Sequence, residues 1–249
     1  MPSEKRGSDE PRGGSSDSVA GPRGPSGDPH DALFTRFRFP HPSTADEDGL
    51  VAVGGDLKPG TLLLAYRNGI FPWTIRPITW WSPDPRAIIP IGGLHVSRSL
   101  ARYMRHVPLR ISFDTAFPEV MEGCAAPRPG REKTWISPGF IRAYCELHRL
   151  GYAHSAEVWR GERLVGGLYG VSIGGLFAGE SMFSAEENGS KVALVAMEGR
   201  LRASGYVLFD VQMMTPHLRT MGAVEIPRGE YLRRVREAVA VTTRFSGED

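Results

Sequence analysis

The chain has 249 residues and a formal net charge of +2, so bulk charge selects no partner. No apolar run approaches the ~20 residues of a membrane-spanning helix, which excludes a helical membrane protein. Cys124 and Cys145 form neither a disulfide framework nor a metal-ligand spacing, so a reduced, soluble, cytoplasmic protein is expected.

The first stretch, "MPSEKRGSDEPRGGSSDSVAGPRGPSGDPHD", is Gly, Pro, Ser and charge. It has too little to bury to offset its ordering entropy, which predicts a disordered tail over 1–31. It has no apolar core and is not a signal peptide. Residues 32–87 read as a small N-terminal domain rich in Gly, Pro and aromatics. One helix is legible there, "KPGTLLLAYRNG", with Pro59 near its start and Gly69 as its stop. "WWSPDPR" is stiffened by Pro83 and Pro85 and marks the boundary to a larger domain over 88–245.

In that domain "LRISFD" alternates as a strand. "TAFPEVMEGCAA" and "SPGFIRAYCELHRLG" read as helices. Three strands follow: "AHSAEVWR", "RLVGGLYGVSIG" and "GLFAGESMFS", with Gly161 and Glu162 turning between the first two. "SKVALVAMEGRLRASG" is a helix with Ser190 at its N-cap and Gly205 as its stop. "YVLFDVQ" is almost wholly apolar, as a central strand would be. A short helix "MTPHLRTMG", a short strand "AVEIPR" and a closing helix "EYLRRVREAVAV" complete the order. That order predicts an α+β fold, a mixed sheet with helices on its faces, and not a doubly wound dinucleotide fold.

The motifs leave several readings open. "GGLYG" lies within a strand, so its glycines mark either core packing or a ligand lying along the backbone. "GESMF" fails the G-x-S-x-G nucleophile pattern because Phe183 takes the last Gly position. Glu180 within it is a carboxylate at the end of an apolar strand, either exposed or held for chemistry. "NGSK" opens a helix, where Ser190 and Lys191 are either a plain cap or part of an anion site. Asp210 and Gln212 in "FDVQ" share one face of a strand, as a proton-handling pair or a hydrated strand end. His148, His154 and His217 read as structural. Arg98, Arg102, Arg105, Arg110, Arg128, Arg131 and Lys133 are either one basic face or ordinary solvated cations.

Taken together, "GLVAVGGDL", "LLLAYRNGIFPW", "WWSPDPR", "TWI", "AYCELHRLGYAHSAEVW", "LVGGLYGVSIGGLFAGESMFS", "NGSKVAL" and "FDVQ…HLRTMGA" resemble the bacterial leucyl/phenylalanyl-tRNA–protein transferases over about 45 to 232. The resemblance implies a small N-terminal domain followed by a GNAT-like acyltransferase domain with a mixed, mostly antiparallel sheet. It implies transfer of leucine or phenylalanine, with methionine as a further donor, from aminoacyl-tRNA to proteins beginning with Arg or Lys, marking them for N-end-rule degradation. The donor ester is already activated, so no metal or other cofactor is expected. A monomer is expected.

By the same resemblance Asp210, Gln212 and Glu180 are the catalytic candidates: Asp210 orienting the amine or relaying its proton, Gln212 positioning, and Glu180 binding the acceptor's cation or its amine. Trp73, Trp135, Leu168, Phe177 and Leu194 would form the apolar aminoacyl pocket, with Ser181, Ser190 and Lys191 also binding substrate. The basic surface would meet the tRNA 3′ end. Val211 stands where many members have Cys, which removes a thiol nucleophile, and Thr215 stands where relatives often have Asn. Two other classes compete: a coenzyme A-dependent N-acetyltransferase, against which "NGSK" replaces a Gly-rich pyrophosphate loop, and a non-catalytic tRNA- or peptide-binding module.

Overall fold

Proline and glycine punctuate the apolar segments, and the segments between them become the elements of an α+β fold. The computed structural model describes residues 33–127 and 134–245. The tail predicted over 1–31 and the cations Arg128, Arg131 and Lys133 lie outside the described residues. A small antiparallel sheet comes first, from β1 (Leu50–Val53), β2 (Phe71–Ile75) and β3 (Ile78–Trp81) in the order β1-β3-β2. Helix α1 (Pro59–Arg67) connects β1 to β2. Pro59 sits at its start, where a backbone N–H has no intrahelical acceptor, and Gly69 takes φ 73° just past its end.

The second sheet has seven strands: β4 (Arg86–Ile89), β5 (Arg110–Phe113), β6 (Ala153–Arg160), β7 (Arg163–Ile173), β8 (Leu176–Ser184), β9 (Leu208–Gln212) and β10 (Val224–Ile226). Their spatial order is β10-β4-β9-β8-β7-β6-β5. Every neighbouring pair is antiparallel except β8 and β9, which run parallel. The helices are α2 (Arg98–His106), α3 (Phe117–Ala125), α4 (Pro138–Arg149), α5 (Gly189–Ala203), α6 (Pro216–Thr220) and α7 (Arg228–Val239). From β5 onward the order is the one the sequence predicts.

Three apolar clusters hold these layers. Val120 of α3 and Phe140 and Tyr144 of α4 pack with Tyr169 and Val171, and α1 joins them through Leu62 and Tyr66. On α5, Leu194, Met197 and Leu201 pack with Leu168, Phe177 and Phe209. Tyr231, Leu232 and Val235 of α7 cover Ile88, Leu176 and Leu208. β7 is buried along most of its length, which is why its sequence is apolar without alternation.

Besides the three strands of the small sheet, two elements escape the sequence reading. β4 is four residues with no alternation, because all four are buried. In α2 Leu100, Tyr103 and Met104 form an apolar stripe at i, i+3 and i+4 that packs on the α5 cluster, but the helix is short and the sequence reading registers only its cations. Ser97 caps α2 by accepting from the Leu100 N–H. One expectation is corrected: Ser190 is not the N-cap of α5. Asn188 holds that place at φ 61°, Gly189 is the first helical residue, and the Ser190 N–H donates to Ser184 Oγ at 2.8 Å. Gly189 is required there because its backbone lies against β7.

The glycines of "GGLYG" are explained by packing. A Cβ on Gly166 would fall 2.4 Å from the Gly189 carbonyl carbon, and one on Gly170 would fall 2.6 Å from the Phe177 ring. Gly166→Ala is therefore expected to cost about 1–3 kcal/mol by overpacking. Gly199 in α5 has nothing within 4 Å of a built Cβ, so Gly199→Ala is expected to gain up to about 1 kcal/mol. Urea denaturation of the two variants checks both signs.

Candidate active site

β8 and β9 share a parallel ladder only from Leu176–Ala178 against Leu208–Asp210. Past it, β8 runs on to Ser184 and β9 to Gln212 with no pairing between them. A cavity of about 80 Å³ lies in this gap. Leu168, Met182, Leu194 and Leu218 make its apolar wall, while Glu180, Ser181 and Gln212 supply its polar atoms. An apolar wall beside three convergent polar groups is the chemistry of a small-ligand site.

Glu180 is half-buried and held by two direct hydrogen bonds. Gln212 Nε2 donates to its Oε1 at 2.7 Å, and the Tyr144 hydroxyl donates to its Oε2 at 3.1 Å. The Tyr66 hydroxyl bonds in turn to that of Tyr144 at 2.5 Å. Burial pushes the Glu180 carboxyl up to about 7, with the tyrosine and Gln212 hydrogen bonds pulling down and the nearby Asp210 charge pushing further up. A carboxyl poised near neutrality can exchange a proton with an amine at working pH. Burial likewise raises both tyrosines well above their ordinary range, and Glu180 adds to it, so their hydroxyls stay protonated.

Asp210 is fully buried and faces a different set of partners. Its Oδ1 accepts from Arg86 Nε at 2.8 Å and from the Gln212 N–H at 2.9 Å. Its Oδ2 accepts from Arg86 Nη2 at 2.7 Å and from the Tyr231 hydroxyl at 2.8 Å. Arg86 also donates to the Gly69 carbonyl, and its guanidinium lies 4.8 Å from the Phe71 ring and 4.3 Å from the Tyr231 ring. Burial works against the Arg86 charge, but Asp210, together with Tyr231 and Glu180, more than offsets it and keeps the guanidinium protonated.

The structure thus brings Leu168, Glu180, Ser181, Leu194 and Gln212 to one cavity. Phe177 does not line it; it is wholly buried and packs edge-on against Phe209. Trp73 stands edge-on to Trp81 and Trp135 edge-on to Phe140, both partly buried beside the cluster that holds Tyr66 and Tyr144. Ser190 and Lys191 lie in the first turn of α5, where Lys191 Nζ donates to Asn188 Oδ1. His154 is bonded to Asp114 and His148 to the Ala153 carbonyl. Arg98, Arg102, Arg105 and Arg110 are exposed, and the first three recur at helical spacing on α2.

Sequence reasoning misses Arg86, Tyr66, Tyr144 and Tyr231. A signal exists for the tyrosines, since each sits on the apolar face of a helix, where a buried hydroxyl needs a partner. None exists for Arg86, whose neighbours read as a linker.

The profile described as Leucyl/phenylalanyl-tRNA protein transferase matches residues 88–236, and the profile of that family's N-terminal domain matches residues 55–84. A leucyl/phenylalanyl-tRNA–protein transferase of Hahella chejuensis is 53% identical over 198 residues, covering 78% of this chain and 85% of the relative. Those of Thiobacillus denitrificans (53% over 205 residues, 81% and 90%) and Shewanella baltica strain OS185 (51% over 206 residues, 82% and 87%) are equally similar. By sequence, and with the strand-end cavity where its motifs converge, the chain belongs to the leucyl/phenylalanyl-tRNA–protein transferase family.

Proposed function

We propose that this chain transfers leucine or phenylalanine from aminoacyl-tRNA to the α-amine of a protein, and that the acceptors begin with Arg or Lys. The family match carries the reaction class; the pairing of an apolar wall with a carboxyl poised near pH 7 carries the site. On this reading the donor side chain lies against Leu168 and Leu194, with Trp73, Trp135 and Phe177 shaping the aromatic surroundings. The acceptor amine attacks the ester carbonyl, the ribose 3′-oxygen leaves, and an amide forms. The amine must lose a proton and the 3′-oxygen must gain one.

Glu180 is the group suited to the first transfer. An α-amine titrates near 7.7–8.0, within about one unit of Glu180. Gln212 orients Glu180, and Asp210 acts from behind Gln212, since its four acceptor positions are filled. Proximity of two bound reactants supplies much of the rate. The exposed arginines of α2 meet the phosphates near the tRNA 3′ end. The mostly antiparallel sheet with one parallel pair that separates supports a GNAT-like reading of the larger domain. No helix among the described residues is long and apolar enough to cross a membrane, which is consistent with a cytoplasmic site of action.

Three measurements test this. Protein mixed with labelled Phe-tRNA and a peptide beginning with Arg should yield the extended peptide, and one beginning with Ala should not; transfer to neither removes the assignment. The Glu180 carboxylate is populated above about pH 7, so kcat/KM should fall as pH drops through that value. Glu180→Gln should lower it about 100-fold or more and remove the step near pH 7, leaving the acceptor amine's own step near 7.7–8.0; a step near pH 7 that survives the substitution places that titration elsewhere. Raising salt from 50 to 200 mM should raise the donor KM, and the slope should flatten in an Arg98→Ala/Arg102→Ala/Arg105→Ala variant.

A further inference from the structure

Gln212 is the last residue of β9 and adopts φ 61°, in the left-handed region that costs a non-glycine residue energy. The Met213 N–H donates to the Val211 carbonyl at 2.7 Å, closing a three-residue turn around it. A turn of this kind with positive φ at its centre is the rare and strained form. The register between β4 and β9 slips at the same place, since Ala87 faces Gln212 and Ile88 faces Asp210, leaving Val211 as an extra residue. Such conformations persist only where their surroundings over-determine them.

Asp210 Oδ1 accepts the Gln212 N–H, and the turn therefore hangs from the Asp210 carboxylate. That carboxylate is gripped by both arms of the Arg86 fork and by the Tyr231 hydroxyl. Arg86 is fixed in turn by the Gly69 carbonyl and by the two flanking rings. Nothing in this chain of contacts reaches the cavity except its last member, the Gln212 amide on Glu180.

We propose that Arg86 and Tyr231 are positioning residues for transfer: through Asp210 they hold the strained turn at Gln212 that aims its amide at Glu180 and the cavity. Asp210 is then a clamp on the backbone rather than a proton carrier. The inference rests on the reading of Glu180 and Gln212 given above. It predicts a defect in turnover and not in binding, because the clamp touches neither substrate. It also predicts a change in the pH profile. Glu180 is faced by Tyr66 from α1, by Tyr144 from α4, by Gln212 and Asp210 from β9 and by Arg86 from β4. Of these, the Gln212 amide favours the ionised form, so loosening it moves the Glu180 titration upward.

Arg86→Lys keeps the charge and removes the fork, and Tyr231→Phe removes one donor with little change of shape. Both should lower kcat, Arg86→Lys by about 10- to 100-fold and Tyr231→Phe by less. The KM for Phe-tRNA and for the acceptor peptide should stay within about threefold, and the pH midpoint should rise. Gln212→Gly should lower kcat more than Tyr231→Phe does, because glycine adopts φ 61° without strain but carries no amide to aim at Glu180. Should Arg86→Lys fail to fold, Tyr231→Phe carries the test. Wild-type kcat and pH midpoint in folded Tyr231→Phe would overturn the proposal, as would a loss confined to KM. Lack of a step near pH 7, apart from the acceptor amine's own, in the wild-type enzyme would instead count against the Glu180 assignment, while the kcat loss in both variants would still support the clamp.

Discussion

The ion pair between Arg86 and Asp210 is the constraint on which the rest of the site depends. Both side chains are fully buried, and the contact is bidentate. Removing one partner of such a pair leaves an uncompensated charge in the core, at a cost of about 3–5 kcal/mol. The pair also ties together four separate parts of the chain. Arg86 opens β4, Asp210 belongs to β9, Gly69 ends the turn after α1, and Tyr231 comes from α7. The two sheets and the last helix are therefore registered at one point, directly behind the cavity.

From that point the site is built outward by hydrogen bonds of decreasing burial. Asp210 fixes the Gln212 backbone, Gln212 fixes Glu180, and Glu180 lines the cavity. A second line reaches Glu180 from the opposite side, through Tyr66 and Tyr144. Two carboxylates thus sit close together in contrasting environments. Asp210 is matched by a guanidinium, while Glu180 has only neutral donors in direct contact and is left poised near neutrality. Environment divides their roles, as it does wherever paired carboxylates handle protons. The parallel pairing of β8 and β9 supplies the space. Its early end leaves a gap that an antiparallel neighbour, zipped along its length as β7 is to β8, would have closed.

Legibility in the sequence followed the strength of local signals. The helices α1, α4, α5 and α7 and the strands β6 to β9 were readable because each carries an apolar pattern, closed in α1, α4 and α5 by Gly69, Gly151 and Gly205. β4 and α2 were not, because one is four residues without alternation and the other a short helix whose arginines outweigh its stripe of Leu100, Tyr103 and Met104. At the site, Glu180, Asp210 and Gln212 stood out as polar groups at the ends of apolar strands. Their division of labour did not. Period two places Asp210 and Gln212 on one face, yet the turn at Gln212 gives each a different partner, and no sequence pattern announces a positive φ at glutamine.

By itself, then, the sequence determined the element order from β5 onward, the α+β class and the membership of a family, because these depend on periodicity and on motifs read along the chain. Only the tertiary structure decided that Arg86, from a segment that reads as a linker, is the anchor of Asp210. It alone decided that tyrosines from α1 and α4 hold Glu180, and that the glycines of β7 admit a helix start and a phenylalanine rather than a ligand. The physical reason is distance in sequence. Arg86 and Asp210 are 124 positions apart, and Tyr66 and Tyr144 are 78 apart. A partner so remote leaves no periodic trace beside either residue, and it acquires meaning only when the sheets and helices have packed.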